Sequence, residues 1–190
     1  MERHFEHDLE ELKERLLWMG SLAEHAVHQA VHAVLEADEK LAQAVLEEEN
    51  AINELQIEID DRVVQLLALQ QLMATDLRFV VAIARINNEL ERIGDQAVNI
   101  AQSAQRILRH PRVKPYVDLP RMSELAEKMT RDSLDSLVRR DIDLARAVRF
   151  RDDQVDRLRD QIFHELLSYM MGDSSVVFPA FELILVAQNL

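Results

Sequence analysis

Oxygen-bearing side chains recur at helical spacing in one segment of the chain, at Asn88, Glu91, Asp95 and Asn99. On an α-helix these four side chains share one face. No Lys or Arg stands four residues after Glu91 or Asp95 to neutralise it. Like charges at this spacing destabilise a helix by a few tenths of a kcal/mol, so a bound cation would relieve the repulsion. The spacing alone leaves open a solvated acidic face that holds no ligand.

Gly94 stands inside the same helical segment. A glycine in a helix interior costs about 1 kcal/mol relative to alanine. An isolated helix has no contact that would offset this cost. Gly94 therefore predicts close approach of a neighbouring helix or of a ligand.

Two further pairs of oxygen-bearing residues have the same spacing, namely Glu49 with Asn53 and Asp152 with Asp156. Each pair flanks the apolar stripe of its helix, where a neighbouring helix could approach. Oxygen donors without cysteine suit Mg²⁺, Mn²⁺ or iron better than a structural zinc. Solvated charge at the flank of a helix explains these pairs equally simply.

Other groups of residues give weaker indications of a metal site or an enzyme. His25, His28 and His32 could place imidazoles on one metal, but histidines on a helix face are usually polar surface, which we favour here. The segment from Asp152 to Asp156 is similar to the Asp-rich box of prenyl-diphosphate synthases, but those enzymes need a second box and a longer chain. No Glu-x-x-His, phosphate-binding loop or Gly-x-Ser-x-Gly motif occurs in the sequence.

The elements that must position these residues are helices. The chain has 190 residues but only 3 Gly and 4 Pro, too few for the turns of a β-rich fold. Its net charge of −13 argues against nucleic acid and anionic membrane surfaces as partners. With no cysteine, no signal peptide at its start and no apolar run long enough to span a bilayer, we expect a cytoplasmic protein without membrane insertion.

Apolar periodicity predicts six helices. We place them near 4–36, 38–71, 75–109, 119–140, 142–170 and from 174 onward, with a proline-containing loop over about 110–119. Thr75 and either Ser174 or Ser175 are the predicted N-caps of the third and sixth helices.

The two halves of the sequence are similar to each other. Residues identical at an offset of 103 are Asp38, Leu41, Ala42, Ala44, Val45, Leu55 and Ile59, which match Asp141, Leu144, Ala145, Ala147, Val148, Leu158 and Ile162. We therefore predict an all-α fold of two tandem three-helix bundles, a duplication over 1–110 and 119–190.

The segment Glu89-Leu90-Glu91-Arg92-Ile93-Gly94-Asp95 resembles the signature of the PhoU family, regulators of phosphate uptake. The segments Ala74-Thr75-Asp76-Leu77-Arg78 and Trp18-Met19-Gly20 are also similar to that family. The resemblance implies two three-helix bundles, each with an acidic motif that binds metal ions at the surface. Ligands implied for the first repeat are Glu91, Asp95 and Asn99, with Glu49, Asn53, Asp152 and Asp156 as looser matches.

The sequence departs from the family pattern at one place. By the repeat offset, a second acidic motif should begin at position 191, whereas the sequence stops at Leu190. We therefore expect a truncated family member whose last helix is incomplete. Asp152 and Asp156 would then be the only candidates for the second site.

The resemblance implies a non-enzymatic, metal-binding negative regulator. It would act between the ATPase subunit of a phosphate ABC transporter and a sensor histidine kinase, as a homodimer. The alternative is a metal-dependent phosphatase or phosphate-binding enzyme that uses the same carboxylates. Because these lie on a convex helix face beside no evident nucleophile or base, the sequence favours the regulator.

Overall fold

The computed structural model describes residues 2–190, with side chains described from residue 5 onward. Within these residues the fold has six α-helices and no strand. Their bounds are α1 Glu2–Glu36, α2 Glu39–Leu69, α3 Ala74–Ile107, α4 Asp118–Arg139, α5 Ile142–Gly172 and α6 Val177–Gln188, with a 3₁₀ turn Ser174–Val176 before α6. The predicted all-α fold is confirmed, and the predicted helices agree with the observed ones to within a turn.

The predicted N-caps are wrong. Helix α3 begins at Ala74, so Thr75 already lies in its first turn, and no side chain caps this helix. Before α6, the Asp173 carboxylate accepts a hydrogen bond of 2.8 Å from the backbone N–H of Ser175. A carboxylate is favoured at this position because it also interacts with the positive end of the helix dipole.

Helices α2 and α5 begin at equivalent aspartates. The side chain of Asp38 accepts from the backbone N–H of Lys40 at 2.8 Å, and Asp141 accepts from that of Leu144 at 2.9 Å. Both aspartates belong to the internal sequence match. The division of the chain into repeats over 1–110 and 119–190 stays a prediction.

Helices α1, α2 and α3 pack against one another around a shared apolar core. Its largest fully buried side chains include Leu12, Leu16, Met19, Ile59 and Ile83. These residues repeat at helical spacing along their helices, and their burial fixes the faces that each helix turns outward. The core therefore leaves the carboxylates of α2 and α3 at the surface.

The remaining helices pack beside this bundle. Helix α4 packs against α5 and α1, and α6 packs against α5 and α3. The connection from α3 to α4 is held by an ion pair between the buried Lys114 and Glu165 of α5. Pro120 lies in the first turn of α4, where a proline is tolerated. No helix in the described part of the chain has both the length and the apolar character needed to cross a bilayer.

Candidate metal centre

Helices α2 and α3 lie in close contact at Gly94. A Cβ atom added at Gly94 would lie 3.0 Å from Ile52 Cδ1 and 3.3 Å from Ile52 Cγ2. The expectation that this glycine admits a neighbouring helix is confirmed. Ile52 follows Glu49 by three residues, and Gly94 follows Glu91 by three. Each of these two carboxylates therefore stands one helical turn from the contact.

Three carboxylates form a cluster across this contact: Glu49 of α2 with Glu91 and Asp95 of α3. We call them the acidic cluster. Partial burial raises the pKa of Glu91 above its ordinary value, and the charges of Asp95 and then Glu49 raise it further. Arg92 acts in the opposite direction, but its guanidinium forms an ion pair of 2.8 Å with Glu89. Arg92 therefore offsets the negative charge around Glu91 only in part.

The geometry of the acidic cluster is open. In the part of the chain that the structure describes, no three His, Asp or Glu side chains form a group that could by itself hold a metal ion. Mg²⁺ typically binds proteins through one or two carboxylates and keeps several waters. The donor set thus fits a partly hydrated hard cation such as Mg²⁺, Mn²⁺ or iron better than zinc.

The two asparagines of the predicted site occupy different places. Asn53 is half-buried on α2, one turn after Glu49. Asn99 follows Glu91 by eight residues, which is about 12 Å along a helix, so the two cannot share one ion. The Asn99 amide instead lies 3.4 Å from Asn189 Oδ1, where α3 meets the end of α6.

The acidic pair of α5 lies elsewhere. Asp156 is paired at 2.8 Å with Arg159, one turn further along its own helix. Asp152 is exposed and lines a cavity of about 330 Å³, together with Glu89 and Gln96 of α3. Those two residues project roughly 140–160° around α3 from Glu91. The structure therefore separates the α5 pair from the acidic cluster.

Sequence reasoning missed a polar residue that helps to position the acidic cluster. Asn87 is fully buried and lies one turn before Glu91. Its amide donates to the backbone carbonyl of Gln56 at 2.9 Å and to the Asp60 carboxylate at 2.8 Å, which fixes α3 against α2. An asparagine on the apolar stripe of α3 was the signal that could have revealed this contact.

Comparison with known proteins identifies the family. The family model for the PhoU domain matches residues 16–104 and 119–190. A phosphate-specific transport system accessory protein PhoU homolog from Aquifex aeolicus is 36% identical over 182 residues, which cover 96% of this chain and 82% of that protein. A homolog of the same name from Clostridium acetobutylicum is 39% identical over 174 residues, 91% of this chain and 80% of that protein.

Solved structures agree with this assignment. The crystal structure of PhoU from Pseudomonas aeruginosa matches with a TM-score of 0.92 and 36% identity, over 97% of this chain and 89% of that one. PhoU from Streptococcus pneumoniae, the phosphate transport system regulatory protein, matches with a TM-score of 0.87 and 26% identity, over 97% and 87% of the two chains. This chain belongs to the PhoU family.

Proposed function

We propose that this chain is a non-enzymatic accessory protein of phosphate transport that restrains phosphate uptake and phosphate-starvation signalling. The observation that carries this proposal is its similarity, over 96% and 91% of its length, to two proteins named phosphate-specific transport system accessory proteins. The surface position of the acidic cluster also supports a regulator, because enzymes gather their acids and bases in concave pockets.

The acidic cluster is the proposed cation site. Glu91 and Asp95 are its principal ligands, and Glu49 and Asn53 contribute from α2. Asn99 is too far from Glu91 to bind the same ion, so it could only hold a second ion further along α3. Burial and, after it, repulsion by neighbouring carboxylates raise the pKa of Glu91, and a hard cation, Mg²⁺, Mn²⁺ or iron, would neutralise that repulsion. It would also present a positive centre on an otherwise acidic surface.

A second cation location is proposed at Asp152 and Asp156 of α5. The ion pair between Asp156 and Arg159 competes with a cation there. We therefore expect this location to bind more weakly than the acidic cluster, whose nearby arginine is engaged elsewhere.

The proposed partners are the ATPase subunit of a phosphate ABC transporter and the cytoplasmic region of a sensor histidine kinase. We propose that this chain binds them in the cytoplasm as a homodimer. With a net charge of −13, the chain should dock onto basic patches of these partners. Such docking should weaken as salt rises, because salt screens exposed charges.

Calorimetry with Mn²⁺ tests the cation site. The Glu91→Ala, Asp95→Ala double variant should lose most of the binding shown by the unmodified chain. The matched control is Glu10→Ala, Glu14→Ala, which removes two exposed carboxylates at the same spacing on α1 and should bind Mn²⁺ normally. Equal affinity in the two double variants would contradict the assignment.

A gene-deletion strain tests the regulatory role. Deletion should switch on phosphate-starvation genes while phosphate is abundant, and the unmodified gene should restore repression. A gene carrying Glu91→Ala, Asp95→Ala should restore it only in part, whereas one carrying Glu10→Ala, Glu14→Ala should restore it fully. Normal repression in the deletion strain would contradict the proposal, and turnover of a phosphate ester with Mn²⁺ would favour a metal-dependent phosphatase instead.

A further inference from the structure

Two histidines of α1 are in contact with each other. The ring centroids of His28 and His32 are 4.4 Å apart, and the ring planes are inclined by 39°. Both side chains reach solvent, with exposed fractions of 51% and 39%. The structure thus separates this pair from His25, the third histidine of the sequence pattern, which shows no such contact among the described residues.

Each ring of the pair is oriented through its Nδ1 atom. His28 Nδ1 lies 3.4 Å from both carboxylate oxygens of Glu127 on α4. His32 Nδ1 lies 2.7 Å from Glu36 Oε1. An ionised carboxylate only accepts hydrogen bonds, so Nδ1 is the donor in both rings and Nε2 carries the free lone pair.

The carboxylate partner of His28 is itself held in place. Glu127 accepts a hydrogen bond of 2.8 Å from the hydroxyl of the buried Ser123, and its side chain is only 16% exposed. Arg131, one turn further along α4, is engaged in an ion pair with Glu24 of α1. Glu127 therefore remains available to His28.

We propose that His28 and His32 form a transition-metal site that binds Zn²⁺ through their Nε2 atoms. Metal-binding histidines almost always donate their other ring N–H to a carboxylate, carbonyl or water, and both rings have this arrangement here. No protein partner of either Nε2 atom is found among residues 5–190. Imidazole nitrogen suits zinc, and waters would complete its four-coordinate shell.

This site differs from the acidic cluster in both chemistry and position. Its ligands are nitrogen atoms of α1 with a supporting carboxylate from α4, whereas the acidic cluster offers oxygen atoms of α2 and α3. Zinc bound here would strengthen the contact between α1 and α4, since it would hold His28 against Glu127. Zn²⁺ binding by these histidines therefore does not depend on cation binding by the acidic cluster.

Calorimetric titration of the full chain with Zn²⁺ tests the proposal. His28→Ala and His32→Ala should each lose affinity by more than tenfold, while the matched control His25→Ala, an exposed histidine of the same helix, should bind normally. Glu127→Gln should cost about tenfold, the usual effect of losing a supporting partner. Circular dichroism of each variant verifies that the helices are intact.

A second comparison separates the two sites. The variant Glu91→Ala, Asp95→Ala should keep its Zn²⁺ binding, and the double variant His28→Ala, His32→Ala should behave towards Mn²⁺ as the unmodified chain does. Zn²⁺ binding that survives loss of both histidines would overturn the proposal. So would an equal loss in His25→Ala, or an unmodified chain that binds no Zn²⁺.

Discussion

Substituting Gly94 with alanine should destabilise the fold although alanine is the better helix former. Helix propensity favours the substitution by about 1 kcal/mol. The new methyl group, however, would lie 3.0 Å and 3.3 Å from two carbons of Ile52, a β-branched residue that is only 3% exposed. Rotation of χ2 moves Cδ1 but leaves Cγ2 in place, and overpacking costs about 1–3 kcal/mol. The expected net change in the free energy of unfolding is a loss of about 1 kcal/mol.

Urea unfolding followed by circular dichroism measures this change. Two further variants test whether the contact with Ile52 causes the loss of stability. In an Ile52→Ala background the crowding atoms are gone, so Gly94→Ala should become stabilising by about 1 kcal/mol. Gly172→Ala is the matched control, because an added Cβ there meets nothing within 4 Å, and it should be neutral or mildly stabilising.

One outcome would contradict the explanation that crowding against Ile52 destabilises Gly94→Ala. If Gly94→Ala stabilised the chain in the native Ile52 background as much as in the Ile52→Ala background, the spacing of α2 and α3 would not be fixed by this contact. In thermal unfolding, the expected loss corresponds to about 2–4 °C for a chain of this size.

Three further predictions concern polar side chains at the acidic cluster and in the core. The raised pKa of Glu91 means that the folded state binds this proton more tightly than the unfolded chain does. The free energy of unfolding should therefore fall as pH rises from below the ordinary pKa of 4.5 through the raised value. Glu91→Gln should remove this pH dependence, and in urea at pH 7 it should be more stable than the unmodified chain. Asn87→Ala should cost about 1–3 kcal/mol through its lost hydrogen bonds, and Asn87→Asp should cost more in the same assay because it places a second carboxylate beside Asp60. Arg106→Ala should destabilise by roughly 1.5–3 kcal/mol, the usual contribution of a hydrogen bond to a charged group. It should destabilise by more than Glu182→Gln, since it leaves a buried carboxylate without its 2.9 Å partner. Equal effects of these last two variants, measured by thermal unfolding, would contradict that ranking.

Local spacing explains what the sequence predicted correctly. The helices follow from apolar periodicity, and the pairing of Glu91 with Asp95 follows from two carboxylates one turn apart. Gly94 was informative because a helix interior penalises glycine unless packing requires it. Each of these inferences needs only one helix and its immediate neighbour.

What the sequence could not predict depends on contacts between distant segments. The partners of Asn87 come from α2, and the carboxylate that orients His28 comes from α4, 99 residues along the chain. A histidine pattern on one helix cannot reveal that partner, so from the sequence alone an exposed polar helix face is the simpler interpretation. The N-cap predicted before α6 is wrong for a local reason, because Asp173 precedes the predicted serines and its carboxylate accepts a hydrogen bond from the backbone N–H of Ser175.

The contact between α2 and α3 joins two opposed effects. Apolar packing of Ile52 on Gly94 draws the helices together, and the same approach brings Glu49 towards Glu91, where the charges repel. A cation bound at the proposed site would remove the repulsion without disturbing the packing, so cation binding and close helix contact would stabilise each other. Such coupling is reciprocal. A substitution that loosens the contact should therefore weaken cation binding, and the lost binding free energy should equal the decrease in the stabilisation that the cation gives to the fold. The proposed cation site would therefore depend on this apolar contact, although the contact supplies no ligand.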